Sequence, residues 1–220
     1  MIDLRLRGTG MTSPRTRERM VSRLREQGIT NEAVLAAMLD IPRHIFVEEA
    51  LESRAYDDTA LPIGFSQTIS QPYIVARMTE LLLEGGVPNK VLEVGSGSGY
   101  QTSLLARLIE RVYSVERVHP LQQRARLCLD TLHIRNVRFR HSDGTWGWKD
   151  YAPYPAILVT AAPAEVPEPL LEQMAPGGVM VIPVGESRSQ ILQRIRKTDS
   201  GFRVETIEPV VFVPLVQGLP

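Results

Sequence analysis

Short apolar runs alternate with amphipathic segments along the chain from residue 90 onward. The runs "KVLEVG", "RVYSVE", "AILVTAA" and "GGVMVIPVG" are rich in valine and isoleucine, which are enriched in strands. Between them lie segments with helical spacing, such as "YQTSLLARLIE" and "PLQQRARLCLDTL". Apolar strands that alternate with helices indicate a parallel sheet covered on both faces. The pattern therefore predicts a doubly wound α/β fold with a mostly parallel sheet over residues 89–218.

The end of the chain breaks this alternation. "QILQRIRKT" and "FRVETIEPVVFVPLV" follow each other without a helical segment between them. Strands joined by a short turn pair antiparallel, so we expect antiparallel C-terminal strands to complete the sheet. The final "VVFVPLV" is most simply interpreted as a buried strand.

The first third of the chain has helical periodicity. Over residues 15–55 we expect successive helices, with Gly28 ending the first and Asn31 capping the second. An apolar stripe closed by two glycines predicts another helix over residues 72–84. Residues 15–88 are therefore predicted to form a helical N-terminal region of one compact domain.

A polar loop, residues 61–72, precedes this last helix and alternates polar with apolar side chains as though it lined a surface. Its hydroxyl and amide groups include those of Gln67, Thr68 and Ser70. Serine is a preferred N-cap. The pattern alone therefore favours Ser70 as a helix cap that accepts a hydrogen bond from the Tyr73 amide.

The composition is typical of one globular domain without a membrane span. The chain has 220 residues, 43% of them hydrophobic, and no run approaches the ~18 apolar residues of a transmembrane helix. The N-terminus lacks the apolar core of a signal peptide. The single cysteine, Cys128, excludes an internal disulfide and fits a cytoplasmic location. No His/Cys cluster has metal-ligand spacing, so no metal is expected.

The charges balance, with 25 basic and 25 acidic residues. This argues against a nucleic-acid binder, because such binding depends on phosphate neutralisation. The first 27 residues are an exception, since they contain seven arginines. They predict a solvated basic helix face, with contact to an acidic partner as the alternative.

Three glycines, Gly95, Gly97 and Gly99, lie between a predicted strand and a predicted helix. Glycines there let the backbone turn sharply and approach a ligand closely. Their G-x-G-x-G spacing, which includes Ser96, differs from the G-x-G-x-x-G of dinucleotide sites. Glu93 would repel a pyrophosphate but suits a cation. The loop therefore favours S-adenosylmethionine, which has an ammonium group and no phosphate.

Acidic residues also end the next two predicted strands. Glu116 ends "RVYSVE", where nucleoside sites place a carboxylate on ribose hydroxyls. In "RHSDG", Asp143 would accept from the adenine amine, and Gly144 would leave room for the ring. Because the carboxyl ends of parallel strands share one sheet edge, these acids and Glu93 are predicted to surround one nucleoside site.

The sequence resembles the protein-L-isoaspartate O-methyltransferase family over residues 15–218. The resemblance rests on "AYDDTALPIGFSQTISQPYIVARMTELL", "VLEVGSGSGYQTSLLA", "VYSVER", "DGTWGW", "AILVTAA", "GGVMVIPVG" and "VVFVPLV", in the family's order. It implies a Rossmann-like methyltransferase fold that uses S-adenosylmethionine and releases S-adenosylhomocysteine. It also implies methyl transfer to the α-carboxylate of L-isoaspartyl residues in damaged proteins, which begins their repair through a succinimide.

The resemblance also assigns roles to individual residues. Ser70 corresponds to the active-site serine, and Gln67 and Thr68 would help to cover the cofactor. The family's cofactor contacts correspond to Glu93, the glycine loop with Gly95, Ser96, Gly97 and Gly99, and Glu116, Asp143 and Gly144.

Two positions depart from the family pattern, because Ser66 and Ser142 stand where glycine is more common. The first ten residues match nothing in the pattern, so residues 1–14 are expected to be disordered or to precede the native start. We expect a cytoplasmic monomer that acts on isoaspartyl proteins and peptides, without nucleic-acid or membrane partners.

Other functions remain as alternatives at this point. A methyltransferase for another carboxylate or a small molecule would share the cofactor site. A nucleic-acid or amide methyltransferase commonly has an Asn/Asp-Pro-Pro-aromatic turn, where this chain has "TAAP". An oxidoreductase is disfavoured by the glycine spacing. A non-catalytic nucleoside-binding module would bind the cofactor without turnover.

Overall fold

The computed structural model of the protein describes residue 6, residues 8–186 and residues 189–220. Within these ranges the strands are β1 (Leu61–Gly64), β2 (Gln67–Ile69), β3 (Lys90–Val94), β4 (Arg111–Glu116), β5 (Val137–His141), β6 (Tyr154–Val159), β7 (Met174–Glu186), β8 (Ser189–Thr198) and β9 (Gly201–Val210). The α-helices there are α1 (Pro14–Glu26), α2 (Glu32–Asp40), α3 (Pro72–Leu83), α4 (Tyr100–Leu108), α5 (His119–Thr131) and α6 (Glu168–Glu172).

Seven of the described strands form one sheet in the order β5-β4-β3-β6-β7-β8-β9. Strands β3 to β7 pair parallel, and β8 and β9 pair antiparallel at one edge. The predicted doubly wound, mostly parallel sheet with antiparallel C-terminal strands is therefore confirmed. The strand order reverses between β3 and β6. In sheets of this kind, ligands bind outside the carboxyl ends of the strands at that point.

Two hydrophobic clusters cover the two faces of the sheet. Side chains alternate between the faces along each strand, so Val91 and Val112 belong to one cluster, and Leu92 and Tyr113 to the other. Helices α1 to α5 all contribute to the first cluster. The N-terminal helices therefore share their core with the sheet.

Residues 15–55 are helical as predicted, with one difference in the type of helix. Asn31 caps α2, since its side chain accepts from the Ala33 and Val34 amides. Residues 43–54, however, form two 3₁₀ helices, Arg43–Phe46 and Glu49–Arg54, instead of an α-helix. Consecutive residues 43–47 are all buried, which one face of a surface α-helix cannot provide.

The arginine-rich N-terminus is only partly a solvated face. Arg17 is 7% exposed and donates to the carbonyl of Asp40 at the end of α2. Arg23 donates to the Tyr56 carbonyl. The prediction of a solvated basic face is therefore wrong for these two residues, whose guanidinium groups bind main-chain carbonyls. Residues 1–5 and 7, part of the segment expected to be disordered, lie outside the described residues.

The predicted polar loop is largely a β-hairpin. β1 and β2 pair antiparallel, with Leu61 opposite Ile69 and Gly64 opposite Gln67. Ile63 and Ile69 are buried while Thr68 is exposed, so the alternation noted in the sequence is the two-residue period of a strand.

Phe65 and Ser66 form the turn of this hairpin with φ values of 53° and 56°. A two-residue turn with both central residues at positive φ matches the twist of the strands, but it favours glycine or asparagine. Glycine at the position of Ser66 would adopt this turn without strain. We expect Ser66→Gly to raise the free energy of unfolding by about 0.5–1 kcal/mol, because a left-handed non-glycine residue is strained.

Urea denaturation checks this prediction, with Ser142→Gly as a matched control. Ser142 is the other position where the family more often has glycine, and its φ is not among the positive values. There, glycine gains no relief of strain and only adds entropy to the unfolded chain. If both substitutions destabilised the protein equally, strain at Ser66 would be disproved.

The last part of the chain differs from the prediction. β9 ends at Val210, and Val211 is 75% exposed, so "VVFVPLV" is not a buried strand. Pro214 has no backbone N–H to donate to a neighbouring strand. The Gln190 side chain donates to the Phe212 carbonyl and accepts from the Phe212 N–H, so these groups do not pair with a strand. The segment instead crosses the carboxyl end of the sheet.

None of the helices in the part of the chain that the structure describes combines the length and apolarity that crossing a bilayer requires.

Candidate functional site

A cleft lies at the carboxyl ends of β3, β4 and β6, beside the β1–β2 hairpin. It brings together eight of the eleven site residues predicted from the sequence. These eight are Gln67, Thr68, Ser70, Gly95, Ser96, Gly97, Glu116 and Gly144. The other three, Glu93, Gly99 and Asp143, belong to the same strand ends and loop but do not line the cleft.

The glycines of the loop allow close packing at a positive φ. Gly95 has φ +96°, and a Cβ atom on it would lie 2.4 Å from the Thr160 hydroxyl. Gly99 has φ +88°, and its Cβ would lie 2.9 Å from the Cβ of Ala125 in α5. Gly99 therefore lets the loop pack against a helix, whereas Gly95 shapes the cleft itself.

Gly144 is buried against β3, where a Cβ would lie 2.5 Å from Val94 Cγ1. It lines the cleft. Any side chain at this position would clash with β3, so the close approach of this turn to the strand requires glycine.

The Glu116 carboxylate is held at the cleft by two backbone amides. Oε2 accepts from Gly97 N–H at 2.9 Å, and Oε1 accepts from Val118 N–H at 2.8 Å. The side chain is 6% exposed. Each carboxylate oxygen has a further lone pair, so Glu116 is a fixed acceptor for ligand hydroxyl groups.

Glu93 lies beneath the glycine loop and is fully buried. Its Oε2 accepts from the Thr102 hydroxyl at 2.6 Å and from the Ser114 hydroxyl, while Oε1 has no hydrogen-bond partner among the described residues. The Ser114 hydroxyl is also 2.7 Å from that of Ser96, so a chain of hydroxyl groups links Glu93 to the cleft. Burial raises the pKa of Glu93 to about 7, and the two hydroxyl donors oppose this shift.

Both carboxylate oxygens of Asp143 accept hydrogen bonds from backbone amides. Oδ1 accepts from Thr145 N–H, and Oδ2 accepts from Gly218 N–H at 2.7 Å. Burial would raise the pKa of Asp143, but these hydrogen bonds outweigh it and leave the pKa below its usual value. Asp143 thus ties the C-terminal segment to the end of β5.

Ser70 is not the cap of α3. The Tyr73 amide donates to Asp58 Oδ1 at 2.9 Å, and α3 has Gln71 at the N-cap position without a side-chain bond. Within the described residues, the Ser70 hydroxyl forms no hydrogen bond. It is therefore free to bind a ligand.

Ser70 also lies where the cleft meets a second depression, here called the outer groove. Thr160, whose hydroxyl contacts the Gly95 carbonyl at 2.7 Å, lines both depressions as well. The outer groove is lined by Ala60, Thr68, Ser70, Gln71, Tyr73, Ile74, Thr160, Glu208, Pro209, Val210, Val211, Phe212 and Val213.

Sequence reasoning missed several cleft residues. Thr160 is the threonine of "TAAP", and nothing in that segment indicates a role for its hydroxyl. The hydroxyl belongs to the site only because Gly95 lies next to it in the fold. Val213 and Leu215 line the cleft because Ala162 exchanges backbone hydrogen bonds with both. Their apolar pattern gave no sign of this position.

Comparison with known proteins decides the family. The sequence profile of the protein-L-isoaspartate(D-aspartate) O-methyltransferase family matches residues 15–219. The chain belongs to this family. A protein-L-isoaspartate O-methyltransferase of Cellvibrio japonicus is 60% identical over 99% of both chains. One of Hahella chejuensis is 58% identical over 95% of this chain and 99% of the relative.

Solved structures agree with this family membership. A Plasmodium falciparum crystal structure assigned to the same enzyme, in complex with S-adenosyl-L-homocysteine, has a TM-score of 0.82 at 27% identity and covers 92% of this chain and 99% of its own. The Rossmann-like methyltransferase fold expected from the resemblance is thereby confirmed. Among the described residues, no group of three or more His, Cys, Asp or Glu side chains could hold a metal ion.

Proposed function

We propose that the protein transfers a methyl group from S-adenosylmethionine to the α-carboxylate of L-isoaspartyl residues in damaged proteins. The backbone amide nitrogen then attacks the methyl ester and expels methanol to form a succinimide. Hydrolysis of the succinimide gives normal aspartate, together with isoaspartate that can be methylated again. Family membership supports the reaction. The observation on which the mechanism rests is the position of the unbonded Ser70 hydroxyl between the cleft and the outer groove.

The residues of the cleft fit the nucleoside and amino-acid parts of this cofactor. Glu116 would accept hydrogen bonds from the ribose hydroxyls, and the space above Gly144 would take the adenine ring. The hydroxyl chain from Ser96 to Glu93 would face the ammonium group, and Gln67 and Thr68 would cover the opening. When bound, S-adenosylmethionine supplies an electrophilic methyl group.

Ser70 would orient the substrate carboxylate. A carboxylate with a pKa near ~4 is ionised at neutral pH, so the nucleophile needs no general base. The protein must align the carboxylate and exclude water, and positioning of this kind contributes roughly 7–11 kcal/mol in favourable cases. A neutral hydroxyl can hold the anion without neutralising its charge.

The outer groove would bind the substrate peptide in an extended form. The segment from Val211 to Val213 lines it, and β9 is a sheet edge whose backbone groups can pair with a peptide. Recognition through the backbone depends little on side chains. We expect isoaspartyl peptides with scrambled neighbouring side chains to differ by no more than about tenfold in kcat/KM, and steep sequence dependence would contradict this mode of binding.

Methyl-labelled S-adenosylmethionine tests the reaction directly. Two peptides of the same sequence are compared, one with an aspartyl and one with an isoaspartyl linkage. We expect base-labile label on the isoaspartyl peptide and essentially none on its partner. Label on a small-molecule carboxylate instead would favour the alternative methyltransferase, and cofactor binding without turnover would favour a non-catalytic module.

We further propose that the protein acts as a cytoplasmic monomer without nucleic-acid or membrane partners. The balanced charge of 25 basic and 25 acidic residues and the use of Arg17 and Arg23 in main-chain contacts argue against a nucleic-acid partner, and the single cysteine fits the cytoplasm.

A further inference from the structure

Arg43 is a buried cation beside the candidate site. Its side chain is 0% exposed and forms no ion pair within the described residues. Nε donates to the Ala55 carbonyl at 2.8 Å, and Nη2 donates to the Ser70 carbonyl at 2.7 Å. The guanidinium carbon lies 4.9 Å from the centroid of the Tyr100 ring, and Tyr100 lines the cleft. One side chain thus connects three segments around the site.

The hydrogen bond to Ser70 fixes a part of the backbone that α3 does not hold. The first helical bond of α3 runs from Val75 N–H to the Gln71 carbonyl, which leaves the Ser70 carbonyl outside the helix. Asp58 holds the Tyr73 amide on the other side. The backbone at Ser70 is therefore restrained from both directions, while its hydroxyl stays unbonded.

Among the described residues, no carboxylate forms an ion pair with the charge of Arg43. Burial lowers its pKa to about 10, against smaller opposing effects of Tyr100, Tyr56 and Asp58 through space, so the side chain is cationic at neutral pH. Nη1 has no hydrogen-bond partner among the described residues. A buried charge without an ion pair is costly, so packing alone does not explain an arginine here.

We propose that Arg43 is a positioning residue for methyl transfer: it holds Ser70 through its carbonyl, and its charge favours an anionic substrate over a neutral one. The inference rests on the proposed function. Arg43 contacts the Ser70 backbone rather than the substrate, so the carboxylate keeps its reactivity. A unit charge that acts over ~10 Å at an effective dielectric constant of ~20 changes affinity about tenfold.

Two matched peptides test the role of the charge. One has an isoaspartyl residue, and the other has the same residue with its α-carboxylate converted to a carboxamide. Their Kd values are measured by calorimetry on the protein saturated with S-adenosylhomocysteine. We expect the wild type to prefer the carboxylate, Arg43→Lys to keep that preference, and Arg43→Gln to lose about tenfold of it.

Kinetics test the positioning role. Arg43→Lys keeps the charge, but an ammonium cannot reproduce the planar two-point contact with Ala55 and Ser70. We expect it to lower kcat at an unchanged Kd for S-adenosylhomocysteine. Arg17→Lys is the matched control, because Arg17 is another buried arginine bound to main-chain carbonyls; it keeps the charge and should leave the preference and kcat unchanged.

The proposal is overturned if Arg43→Gln keeps the wild-type preference, if it weakens both peptides and the cofactor equally, or if Arg43→Lys loses the preference. If Arg43→Gln does not fold, Arg43→Lys alone tests the proposal. It must keep the preference for the carboxylate peptide and have a reduced kcat. A wild type that fails to methylate isoaspartyl peptides would instead disprove the proposed function.

Discussion

Ser70→Ala is expected to lower kcat about 10- to 100-fold, because a hydrogen bond to a charged group is worth roughly 1.5–3 kcal/mol. The affinity for S-adenosylhomocysteine should change little, since the hydroxyl would bind the substrate carboxylate. The free energy of unfolding should also stay the same. The Ser70 hydroxyl makes no hydrogen bond within the described residues, and Asp58 provides the bond to the first turn of α3.

Steady-state kinetics at saturating cofactor, calorimetry with S-adenosylhomocysteine and urea denaturation separate these effects. Ser70→Thr keeps a hydroxyl and should recover part of the lost kcat. Ser142→Ala, a serine substitution that leaves both depressions unchanged, is the control. Equal losses of kcat and of cofactor affinity in Ser70→Ala would refute the carboxylate-binding role, and so would a large loss of stability.

The prediction of the fold from sequence succeeded where patterns are local and strong. The apolar strands, their helical spacers and the glycines at Gly95 and Gly99 each have one physical interpretation, and together they determine the edge of the sheet at which ligands bind. The hairpin at 61–69 was not predicted, because its strands are short and its turn residues, Phe65 and Ser66, are poor turn formers.

The site required contacts between distant residues that no local rule provides. The local pattern alone favours Ser70 as the cap of α3 because capping rules consider only adjacent residues, whereas Asp58 reaches the Tyr73 amide from earlier in the chain. Asp143 was predicted to accept from the adenine amine, and its hydrogen bond from Gly218 N–H, 75 positions later in the chain, is a contact that local patterns do not predict. The position of Glu93 in β3 was predictable, but its burial under α4 beside Thr102 and Ser114 was not.

Glu93→Gln is expected to stabilise the protein without cofactor and to weaken cofactor binding. Burial raises the pKa of Glu93 from 4.5 to about 7, so between these values the folded protein keeps a proton that the unfolded chain has lost. Stability therefore falls as the pH rises through this range. Above pH 7 the accumulated loss is about 3 kcal/mol, at 1.36 kcal/mol for each pKa unit.

Glutamine removes this loss because it stays neutral at every pH. Its amide oxygen can accept from Thr102 and Ser114 as Oε2 does. Its NH₂ would lack a hydrogen-bond partner, as Oε1 does among the described residues, but an unpartnered neutral group costs less than a buried charge. The variant should therefore be more stable than the wild type at pH 8, with the difference vanishing near pH 4.5. Urea denaturation at several pH values measures it, with the exposed Glu165→Gln as a control whose difference should stay flat.

Cofactor binding should respond in the opposite direction. An ionised Glu93 attracts the ammonium group of the cofactor through the hydroxyl chain of Ser114 and Ser96, so binding favours loss of the Glu93 proton. The wild-type affinity for S-adenosylmethionine should then increase as the pH rises through 7, with protons released into the buffer. Calorimetry in buffers of different ionisation enthalpy counts these protons, and Glu93→Gln should release none.

A Glu93→Gln variant that binds the cofactor as tightly as the wild type at pH 8 would contradict this role. The buried carboxylate would then only support the structure of the glycine loop. Glu93→Gln should change stability and cofactor affinity in opposite directions only if the Glu93 charge destabilises the protein without cofactor and stabilises the complex with the cofactor.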